Sequence, residues 1–294
     1  MLETNVYHVR HIGVLELKTQ REKAEDFRSL HHGKRILTLP NGWDVPSARV
    51  FEEAGFPAVA TSSAGMMVSL GYPDGEVIDR QEMVSAVRRI ARVLAVPLSA
   101  DVVAGFGETP KEVATTVRSV IEAGAIGINI EDFVHETKEL YAVEKQVEKL
   151  KAIKALGESM RIPLVINART DALRFAPGDK ESKLKEAIRR GLAFRDAGAD
   201  CVYPMGLTDA ATISTFVKAL NFPVNVMVRR GLPPLEELER LGVARLSFGP
   251  TASYAAMGLL KRAAREVLEK GTYESLIEGA ITFDELNSLA VPRA

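Results

Sequence analysis

Asp196-Ala197-Gly198-Ala199-Asp200-Cys201-Val202 reads as the end of a helix, a hinge, and the start of a buried strand. Glycine at the position just past a helix accepts a positive φ at low cost, so the helix stops there. The apolar run that follows at once reads as a strand covered on both faces. The same grammar recurs at Glu53-Ala54-Gly55-Phe56-Pro57-Ala58-Val59, Glu122-Ala123-Gly124-Ala125-Ile126-Gly127-Ile128 and Arg240-Leu241-Gly242-Val243-Ala244-Arg245-Leu246. A helix that ends on glycine and passes straight into a buried strand is half of a βαβ unit.

Working outward from these hinges, the chain holds eight short apolar runs, at 36–40, 57–61, 97–101, 126–131, 163–168, 200–204, 223–227 and 244–248. Pro57, Pro97, Pro163 and Pro223 open four of them, where a missing N–H is tolerated. Helical patterns lie between, at 80–94, 110–123, 142–156, 180–197 and 208–220. Thr109-Pro110 and Thr208-Asp209 mark two helix starts, with threonine as the N-cap. Eight alternations predict a parallel (β/α)₈ barrel, the TIM-barrel architecture, which takes about 250 residues. A doubly wound sheet is the alternative, and it lacks a Gly-rich dinucleotide fingerprint after the first strand. Residues 1–294 are read as one domain: a helical extension over 1–35 with its helix at 15–33, the barrel over 36–250, and one long and two short helices over 251–294.

Composition narrows the function classes. The chain has 294 residues, 46% hydrophobic and 26% charged, with 38 Lys and Arg against 39 Asp and Glu. A net charge of −1 supplies no electrostatic drive toward nucleic acid or an anionic membrane. The single cysteine, Cys201, excludes an internal disulfide framework and a cysteine-based metal cluster; it reads as an inert buried thiol. No apolar run approaches the roughly 18 residues of a membrane span. The first residues, with Glu3, Arg10 and Glu16, lack a basic-then-apolar signal pattern, so a cytoplasmic protein is expected. His8, His11, His31 and His32 read as surface residues, and the mixed charges of 142–154 as a solvated helix face.

Such a barrel carries its active site at the C-terminal ends of the strands. Polar residues collect there: Asn41-Gly42-Trp43-Asp44, Thr61-Ser62-Ser63, Asp101, Glu131-Asp132, Asn167-Ala168-Arg169-Thr170-Asp171 and Asn225. Carboxylates converging from neighbouring strands repel one another unless a cation or an arginine sits among them. Carboxylates with water suit a hard ion, Mg²⁺ or Mn²⁺. An arginine on the next strand holds a substrate carboxylate in a bidentate fork. Ser62 and Ser63 offer amides and hydroxyls to a second anionic group. Asp171 reads as a partner of Arg169 or a turn cap, and Trp43 as a packed anchor or a stacking platform.

These stretches resemble the phosphoenolpyruvate mutase / isocitrate lyase superfamily over about 25–285. The resemblance rests on PNGWDVPSA (40–48), TSSAGMMVSLGYPDGE (61–76), SADVVAGFG (99–107), GINIED (127–132), NARTDA (167–172) and LSFGP (246–250). It is greatest to the subgroup called carboxyvinyl-carboxyphosphonate phosphorylmutases, or phosphonomutase-like proteins. It implies a Mg²⁺-dependent lyase or mutase on a (β/α)₈ barrel that cleaves or rearranges a C–C or P–C bond of a small 2-oxo or 2-hydroxy acid through a metal-stabilised enolate. It further implies a homotetramer, a dimer of dimers, with a late helix at 251–270 exchanged between subunits. Asp101 matches the direct metal ligand and Glu131 the acid that holds the metal's waters. Arg169 matches the carboxylate clamp, Asp74 a mobile-loop aspartate beside the substrate, and Ser62 and Ser63 the amides that grip a carboxylate. Trp43, Asp44, Thr61, Asn167 and Asn225 fall among the substrate-binding positions.

Two positions depart from that pattern. Val103 stands where the family has a second acid, and losing such a supporting group commonly lowers affinity or activity 10- to 100-fold. The loop after the fourth strand, Phe133-Val134-His135-Glu136-Thr137-Lys138-Glu139-Leu140-Tyr141, lacks both the lyases' cysteine and the phosphonomutases' Lys-x-Asn. His135 is its one group with an ordinary pKa near neutrality, either a proton carrier or a solvated lid residue. An oxaloacetate-type hydrolase and a non-catalytic anion-binding relative therefore stand as alternatives.

Overall fold

The structure is a computed structural model that describes residues 18–292; His8, His11 and the start of the expected helix at 15–33 lie outside them. The strands pair in parallel and in chain order. Leu37–Leu39, interrupted at Pro40 and continued as Asn41–Gly42, is followed by Val59–Thr61, Leu98–Asp101, Gly127–Glu131, Val165–Thr170 and Cys201–Pro204. A bridge from Val202 to Val224 leads on to Asn225–Met227, which pairs with Arg245–Ser247, which pairs back onto Leu37–Leu39. Eight parallel strands thus close into the expected barrel. Asn41 seals the seam: its side-chain amide donates to the Thr61 carbonyl at 2.7 Å, and its Oδ1 accepts the Phe248 and Gly249 N–H groups at 2.9 and 2.8 Å.

The punctuation acts as expected. Gly55, Gly124, Gly198 and Gly242 all take positive φ, at 93°, 111°, 101° and 82°. The four prolines lie one or two residues ahead of their strands rather than inside them. Thr109 caps Pro110–Glu122 with Pro110 in the first turn, but the helix Ala210–Leu220 is capped by Asp209 and not by Thr208. Outward-facing strand residues such as Ile128, Ile130, Ile166 and Val202 pack beneath the helices in one continuous core.

The helix Gln20–Leu30 closes the end of the barrel where the strands begin. Phe27 and Ala24 are fully buried with Leu37, Leu39, Ile126 and Val165. Polar groups of the same helix bind carbonyls at this end: Gln20 donates to Ile121, in the last turn of the helix Pro110–Glu122, and to Ala125 ahead of the fourth strand, and Arg28 donates to Leu164 ahead of the fifth. Paired carbonyls and a filled core leave the opposite end as the mouth. His31, expected at the surface, is 3% exposed: its ring stands edge-on to Phe27 and its Nδ1 bonds to the Phe27 carbonyl. Beyond the barrel come Thr251–Lys270, Glu274–Ile277 and Phe283–Ser288, the predicted long helix and two short ones.

Candidate active site

The strand ends frame a cavity of about 550 Å³ at the mouth of the barrel. Its wall includes Thr61, Ser62, Ser63, Asp74, Asp101 and Arg169, with Asn167 and Asn225 deeper in the barrel. Residues from four strands, the second, third, fifth and seventh, thus line one cavity together with Ser62, Ser63 and Asp74 from the segments between strands.

Asp101 ends the third strand and is held by its neighbours. Its backbone N–H donates to Thr61 Oγ1 at 2.8 Å. Its carboxylate accepts from Ser63 N, Val103 N and Asn129 Nδ2 at 3.2, 3.3 and 3.2 Å. Asn129 is in turn oriented by Asn167, which donates to it at 2.8 Å. All three bonds to the carboxylate are long, so its oxygens keep acceptor capacity toward the cavity. Asp74 faces the same space, and burial, then the charge of Asp101, push its carboxyl above the usual range.

Arg169 is fixed before any ligand arrives. Its Nε and Nη2 hold Asp171 in a fork at 2.6 and 3.0 Å, and Nη1 meets Glu131 at 2.6 Å. A guanidinium has five N–H donors, so two remain uncommitted on a side chain that lines the cavity. Glu131 is 2% exposed, with its other oxygen 2.5 Å from His135 Nε2. Burial pushes the Glu131 carboxyl up, and Arg169 opposes this. The hydrogen bond to Glu131 raises His135. Behind them Asp132, fully buried, accepts from Thr170 Oγ1, Asp171 N and Arg190 Nη1 at 2.8, 2.9 and 2.9 Å. This cluster locks the ends of the fourth and fifth strands to the helix Lys180–Asp196.

Other candidate residues do local work. Asp44 caps the helix Val45–Glu53 by accepting from Ser47 N, and neither it nor Trp43 lines the cavity. Trp43 packs against Gly65: a Cβ on that glycine would stand 2.8 Å from the Trp43 Cβ. Ser62 Oγ caps Ser63–Ser69, while its N–H donates to the Gly42 carbonyl and that of Ser63 to Asp101. The two amides expected to grip a carboxylate are therefore engaged within the protein.

The phosphoenolpyruvate phosphomutase family model matches residues 27–268. The chain belongs to this family. It is 32% identical over 272 residues to 2-methylisocitrate lyase of Escherichia coli K12, covering 88% of this chain and 89% of that one. A solved structure from Burkholderia cenocepacia J2315, named only provisionally as a lyase/mutase, shares 37% identity at a TM-score of 0.84, over 93% of this chain and 99% of that one. Oxaloacetate acetylhydrolase, solved with its product oxalate, shares 26% identity at a TM-score of 0.79, over 91% and 93% of the chains.

Against that family background, the departure at Val103 gains a structural form. Val103 sits at φ 53°, 1% exposed, with its side chain in the core beneath the helices. A β-branched residue in the left-handed region is strained. The departing loop forms a small hairpin, Phe133–Val134 with Glu139–Leu140, which puts the His135 ring against Gly75 of the Asp74 loop. Among the described residues, no three His, Cys, Asp or Glu side chains gather as a metal cage, and no helix is long and apolar enough to cross a membrane. A divalent ion of the Mg²⁺ kind keeps most of its waters and binds through one or two carboxylates. The donor set of Asp101 with Asp74 across the cavity fits that mode, whereas both oxygens of Glu131 already have partners.

Asn129, Tyr203 and Arg190 were not singled out from the sequence. Asn129 stood inside the quoted GINIED stretch, two residues before Glu131, and is the direct register partner of Asp101. Tyr203, its OH 2.7 Å from Met205 Sδ, stacks toward Arg169 and carried no such signal.

Proposed function

We propose that the protein is a Mg²⁺-dependent lyase or mutase that cleaves or rearranges a C–C or P–C bond of a small 2-oxo or 2-hydroxy acid through an enolate. The observation that carries this reading is the convergence of Asp101, Asp74 and Arg169, with its two uncommitted N–H donors, on one cavity. Arg169 binds and orients a substrate carboxylate, with its approach fixed by Asp171 and Glu131. Asp101, aided by Asp74, would hold Mg²⁺ or Mn²⁺, whose chemistry there is charge stabilisation of a developing carbonyl oxyanion. Closure of the Asp74 loop onto His135 excludes water from the reacting bond. His135, hydrogen-bonded to Glu131 and packed against Gly75 beside Asp74, would hold or move a proton once that loop is closed.

A panel of phosphonopyruvate, oxaloacetate, methylisocitrate and dimethylmalate, run with and without Mg²⁺, tests this reading. Turnover of a panel member is expected only with the metal, and Asp101→Ala abolishes it. Full activity of Asp101→Ala in EDTA would overturn the scheme.

The engagement of Glu131 and the burial of Val103 favour one second reading, a non-catalytic binder of small anions. It predicts oxalate binding that needs no Mg²⁺ and no turnover of the panel.

For the assembly we propose a homotetramer in which the helix Thr251–Lys270 packs on a partner copy. Among its residues only Ser253 and Ala263 are buried; its Leu268 is 86% exposed, and Phe283 in the last short helix 79%. Exposed apolar area of this kind marks an interface. Light scattering is expected to give four copies, and a monomer at micromolar concentration would refute the assembly.

A further inference from the structure

The charges around the cavity are unbalanced. Five arginines line it against two aspartates, Asp74 and Asp101. Arg169 and Arg174 are matched by Glu131 and Asp171. Arg245 is 2% exposed and lies toward the closed end, where its charge helps burial hold His31 in the neutral form. The remaining pair, Arg229 and Arg230, follows the seventh strand after one intervening residue, Val228. Both are exposed, both line the cavity, and neither has a hydrogen-bonded or ion-paired side-chain partner among the described residues.

Two adjacent unpaired guanidiniums at the rim raise the local concentration of anions and offer several N–H donors in planar forks. They stand at the opening, whereas Asp101 and Arg169 stand at the strand ends. A ligand that reaches both must extend beyond its reacting carbons.

We propose that Arg229 and Arg230 bind an acidic arm of the substrate distal to the bond that reacts, so that the site selects acids carrying a third anionic group, carboxylate or phosphonate, over short diacids. This inference rests on the functional reading above for the placement of the reacting end. The arm needs only the two guanidiniums, so the two ideas can fail separately.

The test is calorimetry on the full chain in Mg²⁺ buffer with three probes. Oxalate represents a short diacid, whereas tricarballylate and phosphonosuccinate each carry three anionic groups, the third a carboxylate or a phosphonate. The wild type is expected to bind at least one of the longer probes about 10-fold or more tightly than oxalate, the equivalent of one charge-assisted contact. In the double variant Arg229→Gln/Arg230→Gln that advantage disappears, with roughly 10- to 100-fold weaker binding of the longer probe and less than threefold change for oxalate. The lost affinity also falls as salt is raised in the wild type, as it must for contacts at an exposed rim. Both side chains are exposed, and the urea midpoint of the variant verifies its fold. Longer probes that bind no better than oxalate, or equally well to wild type and variant, would overturn the proposal. Arginine-dependent binding of the longer probes without any oxalate binding would support the arm site and count against the enolate reading.

Discussion

Replacing Arg169 by Met removes the one cation shared by two buried carboxylates. Arg169 is 14% exposed in its side chain, Glu131 2% and Asp171 0%. Methionine nearly fills the space of the aliphatic stem, so the loss is mostly electrostatic. Asp171 keeps a second partner, Arg174, at 3.0 Å, although that side chain is 45% exposed and correspondingly weak. Glu131 keeps only His135. Breaking a buried pair by removing one partner costs about 3–5 kcal/mol, because the remaining charge stays desolvated. For a domain of this size that is on the order of 10 °C in melting temperature. Urea unfolding at pH 7 measures it directly. The companion variant Arg169→Met/Glu131→Gln removes the stranded charge and is expected to recover about 1–2 kcal/mol, a coupling well outside the scatter of independent sites. A single-variant loss below about 1 kcal/mol, or strictly additive effects in the double variant, would refute the claim that Glu131 depends on Arg169.

Further perturbations probe separate parts of the structure. Phe27→Ala opens a cavity in the closed end of the barrel and should lower stability by about 3–5 kcal/mol in urea titration. Gly65→Ala forces a Cβ to within 2.8 Å of the Trp43 Cβ, and should cost about 1–3 kcal/mol in thermal unfolding while weakening oxalate binding through the displaced Ser63–Ser69 helix. Burial, then the charge of Arg245, hold His31 down at about 3. The unfolded chain binds that proton first as pH falls, so this contribution is complete above about pH 6.5 and is lost below it, by about 1.4 kcal/mol per pH unit. His31→Gln should flatten the stability profile between pH 6.5 and 5 by that slope, and an unchanged profile would disprove the assignment.

The barrel was legible because its signals are local. Glycine just past a helix and an apolar run directly after it need no distant partner, and they located all eight strands to within two residues. The site positions were legible where a strand ends on an unusual polar residue, as at Asp101, Glu131 and Arg169. What escaped was set by pairing across strands. Asn41 was placed among the strand-end polar residues, but its part in closing the barrel emerges only when Phe248 and Gly249 are brought beside it. Arg190 reads as a solvated helix charge until the helix turns it onto Asp132. His31 is buried because the helix before it plugs the barrel, which no neighbouring residue announces. The hairpin after the fourth strand was expected as a lid, but its contact with Gly75 depends on the fold of two loops far apart in sequence.

Calorimetric titration of oxalate into the full chain, with Mg²⁺ and with EDTA, tests most directly whether Asp101 and Arg169 serve one anionic ligand. The account predicts binding that requires Mg²⁺ in the wild type, loses that requirement together with most of its affinity in Asp101→Asn, and is weakened about 100-fold in Arg169→Met. Equal affinity in EDTA and Mg²⁺, or wild-type binding by both variants, would contradict it.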